Sequence, residues 1–127
     1  MQDEGLEVDL VQLYVARAVG SSYYKIGRAR DLAGRMRQIL TFIPFDLKVV
    51  LALKCFRYCS WPFEAKLQRQ FRRCRVRGEW YALSNTDLNL IREVLFPQFI
   101  RFMVDQRDVK FMDSRRVMRH LDELIIQ

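Results

Sequence analysis

Histidine is almost absent from this chain of 127 residues, since His120 is the only one. A single histidine argues against catalysis that pairs histidine with cysteine or serine. It also argues against zinc sites that need several histidines. Cysteine is also scarce, because Cys55, Cys59 and Cys74 are odd in number and form no Cys-x-x-Cys pair. We therefore expect free thiols in an intracellular, reducing compartment, either cytoplasm, nucleus or nucleoid.

Long apolar runs and loop-forming residues are scarce as well. No stretch approaches the roughly 18 apolar residues of a membrane span. Residues 1–5 are acidic, where a secretory signal would be basic, so no export signal is expected. Only five glycines and three prolines occur, and 50% of the residues are hydrophobic. We expect one folded domain with its own core.

Positive charge is in excess and is concentrated in the middle of the chain. Residues 23–77 carry fourteen Lys or Arg against three Asp or Glu, a balance of +11. Residues 1–22 and 78–127 carry −3 and −1, which completes the net charge of +7. A concentrated basic surface attracts polyanions and supplies phosphate contacts. This distribution favours nucleic-acid binding, with a merely solubilising basic face as the alternative.

Hydrophobic periodicity predicts an α/β domain built on a small, mostly antiparallel three-stranded sheet flanked by helices, with an extra C-terminal helix. The predicted strands cover residues 9–18, 23–28 and 45–55, the third of them central, and a short edge strand covers 80–83. The predicted helices cover residues 31–40 and 60–74, a segment that begins at 84, and 113–125.

Capping residues and prolines predict where these helices begin or end. Asp31 is the predicted N-cap of the first helix, and Ser60 caps the second with Pro62 in its first turn. Ser84 begins the third with an approximation to a capping box, and Pro97 interrupts or kinks that helix. The chain divides into a flexible arm over 1–8, a main domain over 9–97 and a C-terminal helical extension over 98–127.

Five short motifs follow one another in an order and spacing that is specific only as a set. They are Tyr24–Arg28, Leu32, Arg35, Glu64–Phe71 and Gly78–Trp80. Together they resemble the GIY-YIG nuclease superfamily, in the branch found in phages and in meiotically up-regulated fungal genes. The resemblance covers roughly residues 11–95. It departs from that branch at Gln68, where histidine is usual, and no glycine opens the first tripeptide, Leu13–Val15.

The resemblance implies a GIY-YIG-like fold and a metal-dependent endonuclease that hydrolyses phosphodiester bonds in DNA. By that resemblance Tyr14 would activate water as the general base, with Lys25 across the hairpin lowering its pKa. Arg35 and Arg28 would stabilise charge on the phosphoryl oxygens, which the planar guanidinium matches well. Glu64 would hold one Mg²⁺ or Mn²⁺ ion.

Strand alternation assigns different roles within the second predicted strand. Tyr23, Lys25 and Gly27 share one face, whereas Tyr24 and Ile26 share the other. If Ile26 belongs to the core, Tyr24 does too. Lys25 then occupies the active face.

Further basic side chains are candidates for contacts with a nucleic-acid backbone. They are Arg30, Arg37, Lys66, Arg69, Arg72, Arg73, Arg75 and Arg77. For the run over 72–77, a solvated helix end is an equal alternative. Trp80 is expected to pack within the fold, with base stacking as the alternative, and Gly78–Glu79 is most simply a turn.

DNA is the expected partner, with RNA as an open alternative and no membrane. A homodimer through the helix over 113–125 stays open, although such helices more often pack on their own core. A rival function is a catalytically weak or inactive nucleic-acid-binding module of the same fold, which Gln68 and the lysine at position 25 favour. A third is a protein-interaction domain whose basic face meets an acidic partner.

Overall fold

The computed structural model describes residues 9–105. The strands are β1 Leu10–Ala18, β2 Tyr23–Ala29, β3 Leu47–Phe56, β4 Arg75–Arg77 and β5 Trp80–Ala82. The α-helices are α1 Leu32–Leu40, α2 Arg57–Gln70, α3 Asn85–Leu90 and α4 Phe96–Asp105. A 3₁₀ turn, Arg72–Cys74, follows α2, and a π-helical turn, Ile91–Leu95, joins α3 to α4. The predicted arm over 1–8 and helix over 113–125 lie outside the described residues.

These strands form one antiparallel sheet in the order β3-β1-β2-β5-β4. In the β1–β2 hairpin, Tyr14 lies opposite Gly27 and Ala16 lies opposite Lys25. The hairpin turn contains Gly20 at a φ of 88°, a left-handed conformation that glycine adopts without strain. β1 lies inside the sheet, and its residues 13–16 are all buried.

The α/β class is confirmed, but the predicted three-stranded sheet with a central third strand is wrong. The sheet has five strands, and β3 lies at an edge of it. The strand predicted as an edge, Trp80–Ala82, pairs on both sides as β5. β4 falls next to the predicted end of the helix over 60–74. Its three residues are all exposed and two are arginine, so it carries no alternation that could reveal a strand.

Helix capping follows the sequence at two helices and departs from it at a third. The Asp31 side chain caps α1, and Ser84 forms the predicted capping box of α3 with Asp87. Helix α2 begins instead at Arg57, directly after β3, without a side-chain cap. Packing against the sheet outweighs the local capping signal, and Ser60 lies fully buried inside the helix.

Pro97 coincides with a change in helical winding. The π-helical turn directly precedes α4, in which Pro97 is the second residue. Proline lacks an N–H group, and its ring crowds the carbonyl four residues earlier, so a wider turn at this point relieves the conflict. The predicted interruption therefore takes the form of a local π-helical turn.

The core lies between one face of the sheet and the helices α2 and α4. Tyr24 and Ile26 of β2 belong to it, at 5% and 0% exposure, as strand alternation predicts. Phe63 of α2 stacks on Phe99 of α4, with ring centroids 4.3 Å apart. Offset-stacked rings add to the stabilisation that burial of their area provides. This side of the sheet fixes the position of α2 against β2.

The opposite face of the hairpin carries Tyr14, Gly27 and Lys25, because alternate residues of a strand point to opposite faces. Helix α1 lies beside this face, where Arg35 lines the same hollow as Lys25 and Trp80. The end of β2 therefore lies between two helices. Helix α2 packs on the core face of the sheet, and helix α1 lies beside the opposite face.

Candidate functional site

A cleft lies where β2 extends beyond its partner β5. Strand β5 pairs with Tyr23–Lys25 of β2. The pairing ends where the Ile26 N–H donates to the Glu79 carbonyl oxygen at 3.0 Å. Beyond this point, side chains from both faces of the sheet converge. The cleft is lined by Arg28, Arg30, Arg35, Arg57, Glu64 and Glu79 among others. Its arginines outnumber its glutamates, so the cleft is suited to an anionic ligand.

Tyr14 lies fully buried beneath the hairpin face that carries Gly27, and its ring packs against that glycine. A Cβ atom added to Gly27 would stand 2.6 Å from the Tyr14 hydroxyl oxygen, so only glycine permits this approach. Within residues 9–105, no group makes a hydrogen bond of acceptable geometry to that hydroxyl. Arg35 approaches the hydroxyl closely enough to influence its titration.

Burial raises the pKa of Tyr14 above its ordinary value of 10.0, and the charges of Glu79 and Glu64 raise it further. The Arg35 guanidinium opposes this increase in the pKa. The expectation that Lys25 lowers the Tyr14 pKa is therefore wrong on two counts. The pKa is raised overall, and Arg35 is the side chain that favours the phenolate. Lys25 is engaged elsewhere, by Glu79.

Glu64 projects from α2 into the cleft and is 8% exposed. One carboxylate oxygen accepts from Arg28 Nε at 2.8 Å, and the other accepts from Gln68 Nε2 at 3.2 Å. Desolvation raises the pKa of Glu64, and repulsion from Glu79 adds to it, while Arg28 and Lys25 oppose the shift. Gln68 also donates to the Ile26 carbonyl oxygen at 3.3 Å, which fastens α2 to β2 at this point.

Arg28 is held between two residues of α2. Its Nη1 donates to the Ser60 hydroxyl at 3.3 Å, while its Nε donates to Glu64. The Ser60 hydroxyl in turn donates to the Arg57 carbonyl oxygen at 2.8 Å. Ser60 thus orients Arg28 instead of capping the helix, which explains why a buried serine lies at this position. Sequence reasoning missed this role because the partners lie 32 residues apart in the chain.

Lys25 and Glu79 form an ion pair beside the cleft, with Lys25 Nζ 2.9 Å from Glu79 Oε1. The ammonium also lies over the Trp80 ring, 5.9 Å from its centroid, within cation–π range. Glu79 is a functional candidate that the sequence analysis does not predict, because the pair Gly78–Glu79 is most simply interpreted as a turn. A signal was present, because an acid follows Gly78 directly in the last of the five motifs.

The remaining predicted contact residues separate into two groups. Arg30 lines both the cleft and a shallow hollow that adjoins it, whereas Arg37 lines the hollow and not the cleft. The other six do not line the cleft in the described part of the chain. They are Lys66, Arg69, Arg72, Arg73, Arg75 and Arg77. Arg75 donates to the Gly78 carbonyl oxygen at 2.8 Å and thereby supports the β4–β5 turn.

A metal ion at this site would depend on Glu64. Among residues 9–105, no three His, Cys, Asp or Glu side chains are grouped so that they could hold a metal ion. Magnesium does not need such a cage, because it commonly takes one or two carboxylates together with waters and phosphate oxygens. Burial and Glu79 both disfavour the charge on Glu64, and a cation beside it would offset both effects. The Glu64 carboxylate therefore fits one hard divalent cation that takes its remaining ligands from other oxygen atoms.

The cysteines and the helices bear on other predictions. Cys55 and Cys59 are buried free thiols, and Cys74 is a half-buried one. Burial raises the pKa of both Cys55 and Cys59 to about 12, so these thiols stay protonated at neutral pH. Within the described residues, no helix combines the length and apolar character needed to cross a membrane.

Comparison with known proteins gives the family of the chain. The T5orf172 domain matches residues 12–96, about two thirds of the sequence. No curated protein and no solved structure matches it. The match covers all of the motifs from which the resemblance to the GIY-YIG nuclease superfamily was drawn, and it corrects that assignment, since the family found is a different one. This chain belongs to the T5orf172 domain family.

Proposed function

We propose that the protein is a metal-dependent endonuclease that hydrolyses phosphodiester bonds in DNA, with the cleft at the end of β2 as its active site. The observation that carries the proposal is the convergence of Tyr14, Arg28, Arg35 and Glu64 from β1, β2, α1 and α2. A buried hydroxyl without a partner and a desolvated carboxylate both cost folding free energy. Groups with such perturbed titration concentrate at functional sites.

The arginines would hold the substrate phosphate. Arg35 reaches the cleft from α1 and Arg28 from β2, so two guanidinium groups from different elements would contact one phosphate. A guanidinium offers parallel N–H donors that match phosphate oxygens, and its charge offsets the charge that builds up in the transition state. Arg30 and Arg57 also line the cleft and both pair with the exposed Asp9, at 3.0 and 3.5 Å, a partner that they would exchange to contact neighbouring phosphates.

Tyr14 would take the proton of the attacking water. Its raised pKa keeps the hydroxyl protonated at neutral pH, so the active phenolate would be a minor species that Arg35 favours. Lys25 would assist indirectly. By pairing with Glu79, it offsets a negative charge that otherwise raises the Tyr14 pKa.

Glu64 would hold the metal ion. A bound Mg²⁺ or Mn²⁺ would offset the negative charge that develops in the transition state. Glu64 supplies the carboxylate, and Gln68 fixes its orientation through the hydrogen bond between them. Arg28 would have to share its carboxylate oxygen or move toward the phosphate when the cation binds.

A plasmid assay tests this proposal. Purified protein is incubated with supercoiled DNA and Mg²⁺ or Mn²⁺, and nicked product is measured for wild type, Glu64→Ala and Glu93→Ala. Glu93 is an exposed acid on the π-helical turn and serves as the matched control. We expect nicking by wild type and by Glu93→Ala, and a loss of at least about 100-fold for Glu64→Ala. Nicking that survives in Glu64→Ala would contradict the assignment of the site.

One observation favours a second function, a nucleic-acid-binding module without efficient cleavage. Both carboxylate oxygens of Glu64 already accept hydrogen bonds, from Arg28 and from Gln68. If these bonds persist on substrate, the carboxylate has less capacity for a metal ion. Salt-dependent DNA binding without nicking in any metal would support this alternative, whereas the absence of salt-dependent binding to DNA or RNA would reject both.

A further inference from the structure

A groove lined by aromatic and basic side chains runs from the cleft across strands β2, β5 and β4. Its first part contains Lys25, Arg35, Phe42 and Trp80. Its second part continues past Trp80. That part is lined by Tyr23, Ile43, Phe45, Val76, Arg77 and Trp80. Because Ile43 and Trp80 line both parts, the groove is continuous with the site that Arg35 and Lys25 share.

The strand register explains this arrangement. Trp80 of β5 lies opposite Lys25 of β2 on one side and opposite Arg77 of β4 on the other. Directly opposite residues of an antiparallel pair share a face, so cation, aromatic ring and cation follow one another across three strands. Tyr23 lies two residues before Lys25 and points to the same face.

Several aromatic rings of this groove are more exposed than core packing requires. Phe42 is 85% exposed, Tyr23 47% and Phe45 44%. Grouped exposed apolar side chains indicate a binding surface, while the cations beside them indicate that the ligand is anionic. An apolar protein partner would leave the exposed Arg77 desolvated. A chain of phosphates that carries flat bases satisfies both the rings and the cations.

We propose that this groove binds unpaired nucleotides of a single-stranded segment adjoining the phosphodiester that enters the cleft. The inference deepens the proposed function, on which it rests, by naming the structure of the substrate. Bases of a duplex are stacked on one another and cannot cover flat aromatic faces, whereas unpaired bases stack on aromatic side chains. Tyr23, Phe45 and Trp80 would receive the bases, and Arg77 would contact a phosphate between them.

Binding can be measured separately from cleavage. Fluorescence anisotropy with excess EDTA compares a labelled oligothymidylate of about 16 nucleotides, the upper range for single-strand binding sites, with a duplex of the same length. We expect tighter binding of the single strand. Tyr23→Ala and Phe45→Ala should each weaken it by about 5- to 100-fold, and duplex binding by less than about 2-fold.

Two control variants sharpen the test. Tyr23→Phe keeps the ring and loses the hydroxyl, so it should bind the single strand like wild type. Trp61→Ala removes a tryptophan that is 47% exposed at the start of α2, outside the groove, and should also be without effect. Circular dichroism of each variant verifies that it is folded. Equal loss in Tyr23→Phe and Tyr23→Ala would contradict base stacking.

Trp80 itself can report binding without being replaced. The chain has two tryptophans, so the Trp61→Phe variant leaves Trp80 as the only one. Saturation with oligothymidylate should quench its fluorescence, because a stacked base lies against the indole. A Trp80 emission that does not respond to bound oligonucleotide would overturn the proposal.

Failure of this inference is distinguishable from failure of the proposed function. If wild type nicks plasmid but prefers duplex, and Tyr23→Ala and Phe45→Ala bind normally, the groove assignment is wrong and the cleft assignment stands. If no metal supports nicking, yet single strands bind tightly and the two alanine variants lose that binding, the groove stands without the nuclease.

Discussion

Tyr14→Phe should make this protein more stable while removing its proposed activity. The Tyr14 side chain is fully buried, and within residues 9–105 its hydroxyl makes no hydrogen bond of acceptable geometry. A tyrosine that served packing alone would be better replaced by phenylalanine. The hydroxyl is therefore a cost in the folded state, and catalysis would be the reason to retain it.

The size of the effect follows from the buried hydroxyl. Leaving a buried polar group without a partner costs about 1–3 kcal/mol, and removal of the oxygen leaves the ring contacts in place. The small void and the lost attraction to Arg35 offset part of this gain. We expect the free energy of unfolding to rise by about 1 kcal/mol, with a Tm higher by about 4–8 °C for a domain of about 100 residues.

Urea unfolding followed by circular dichroism measures this change for Tyr14→Phe and for Tyr24→Phe as the matched control. Tyr24 faces the other side of the same hairpin, and its hydroxyl is not buried without a partner. The control should gain nothing, and plasmid nicking should be lost in Tyr14→Phe alone. A Tyr14→Phe variant less stable than wild type by 1 kcal/mol or more (about the worth of one hydrogen bond) would refute the reasoning.

Three other predictions concern the same cleft. Gly27→Ala should destabilise the fold by about 1–3 kcal/mol, since the new Cβ meets the Tyr14 ring, and Tyr14→Phe should restore part of that loss in the double variant. Glu64 has a folded-state pKa above its ordinary 4.5, so its carboxylate lowers stability as pH rises through that window. Glu64→Gln should thus unfold at higher urea than wild type at pH 8, with a smaller gain at pH 4. Nicking should increase with pH without a plateau below 10, because the Tyr14 pKa is raised; a plateau near pH 7 would assign the base elsewhere.

Local signals predicted the parts of the fold that local interactions determine. Asp31 and the pair Ser84–Asp87 cap their helices as expected, because a cap satisfies backbone N–H groups only a few residues away. The start of α2 could not be located this way, since burial of its inner face extends the helix back to Arg57. β4 could not be predicted either, because its three exposed residues form a strand only through pairing with β5.

In the candidate site, too, local features were predictable from the sequence and contacts between distant residues were not. Alternation along β2 correctly separated Tyr24 from Lys25, since residue parity is a local property. The bond between Arg28 and Glu64 joins residues 36 positions apart, and the pair Lys25–Glu79 joins residues 54 apart. No spacing rule gives such distances. The environment of a titrating group, and hence the direction of its pKa, therefore had to come from the structure.

Basic side chains on the two outer strands of the sheet disfavour strand pairing between copies of this protein. β3 places Lys48 and Lys54 in solvent along one border, and β4, only three residues long, places Arg75 and Arg77 along the other. A bare outer strand is a template for pairing with another chain, and lysine or arginine there repels an identical border. The basic side chains of these strands thus disfavour association between identical copies. Replacing Lys48 and Lys54 by valine would turn one border into a self-association surface, detectable by light scattering.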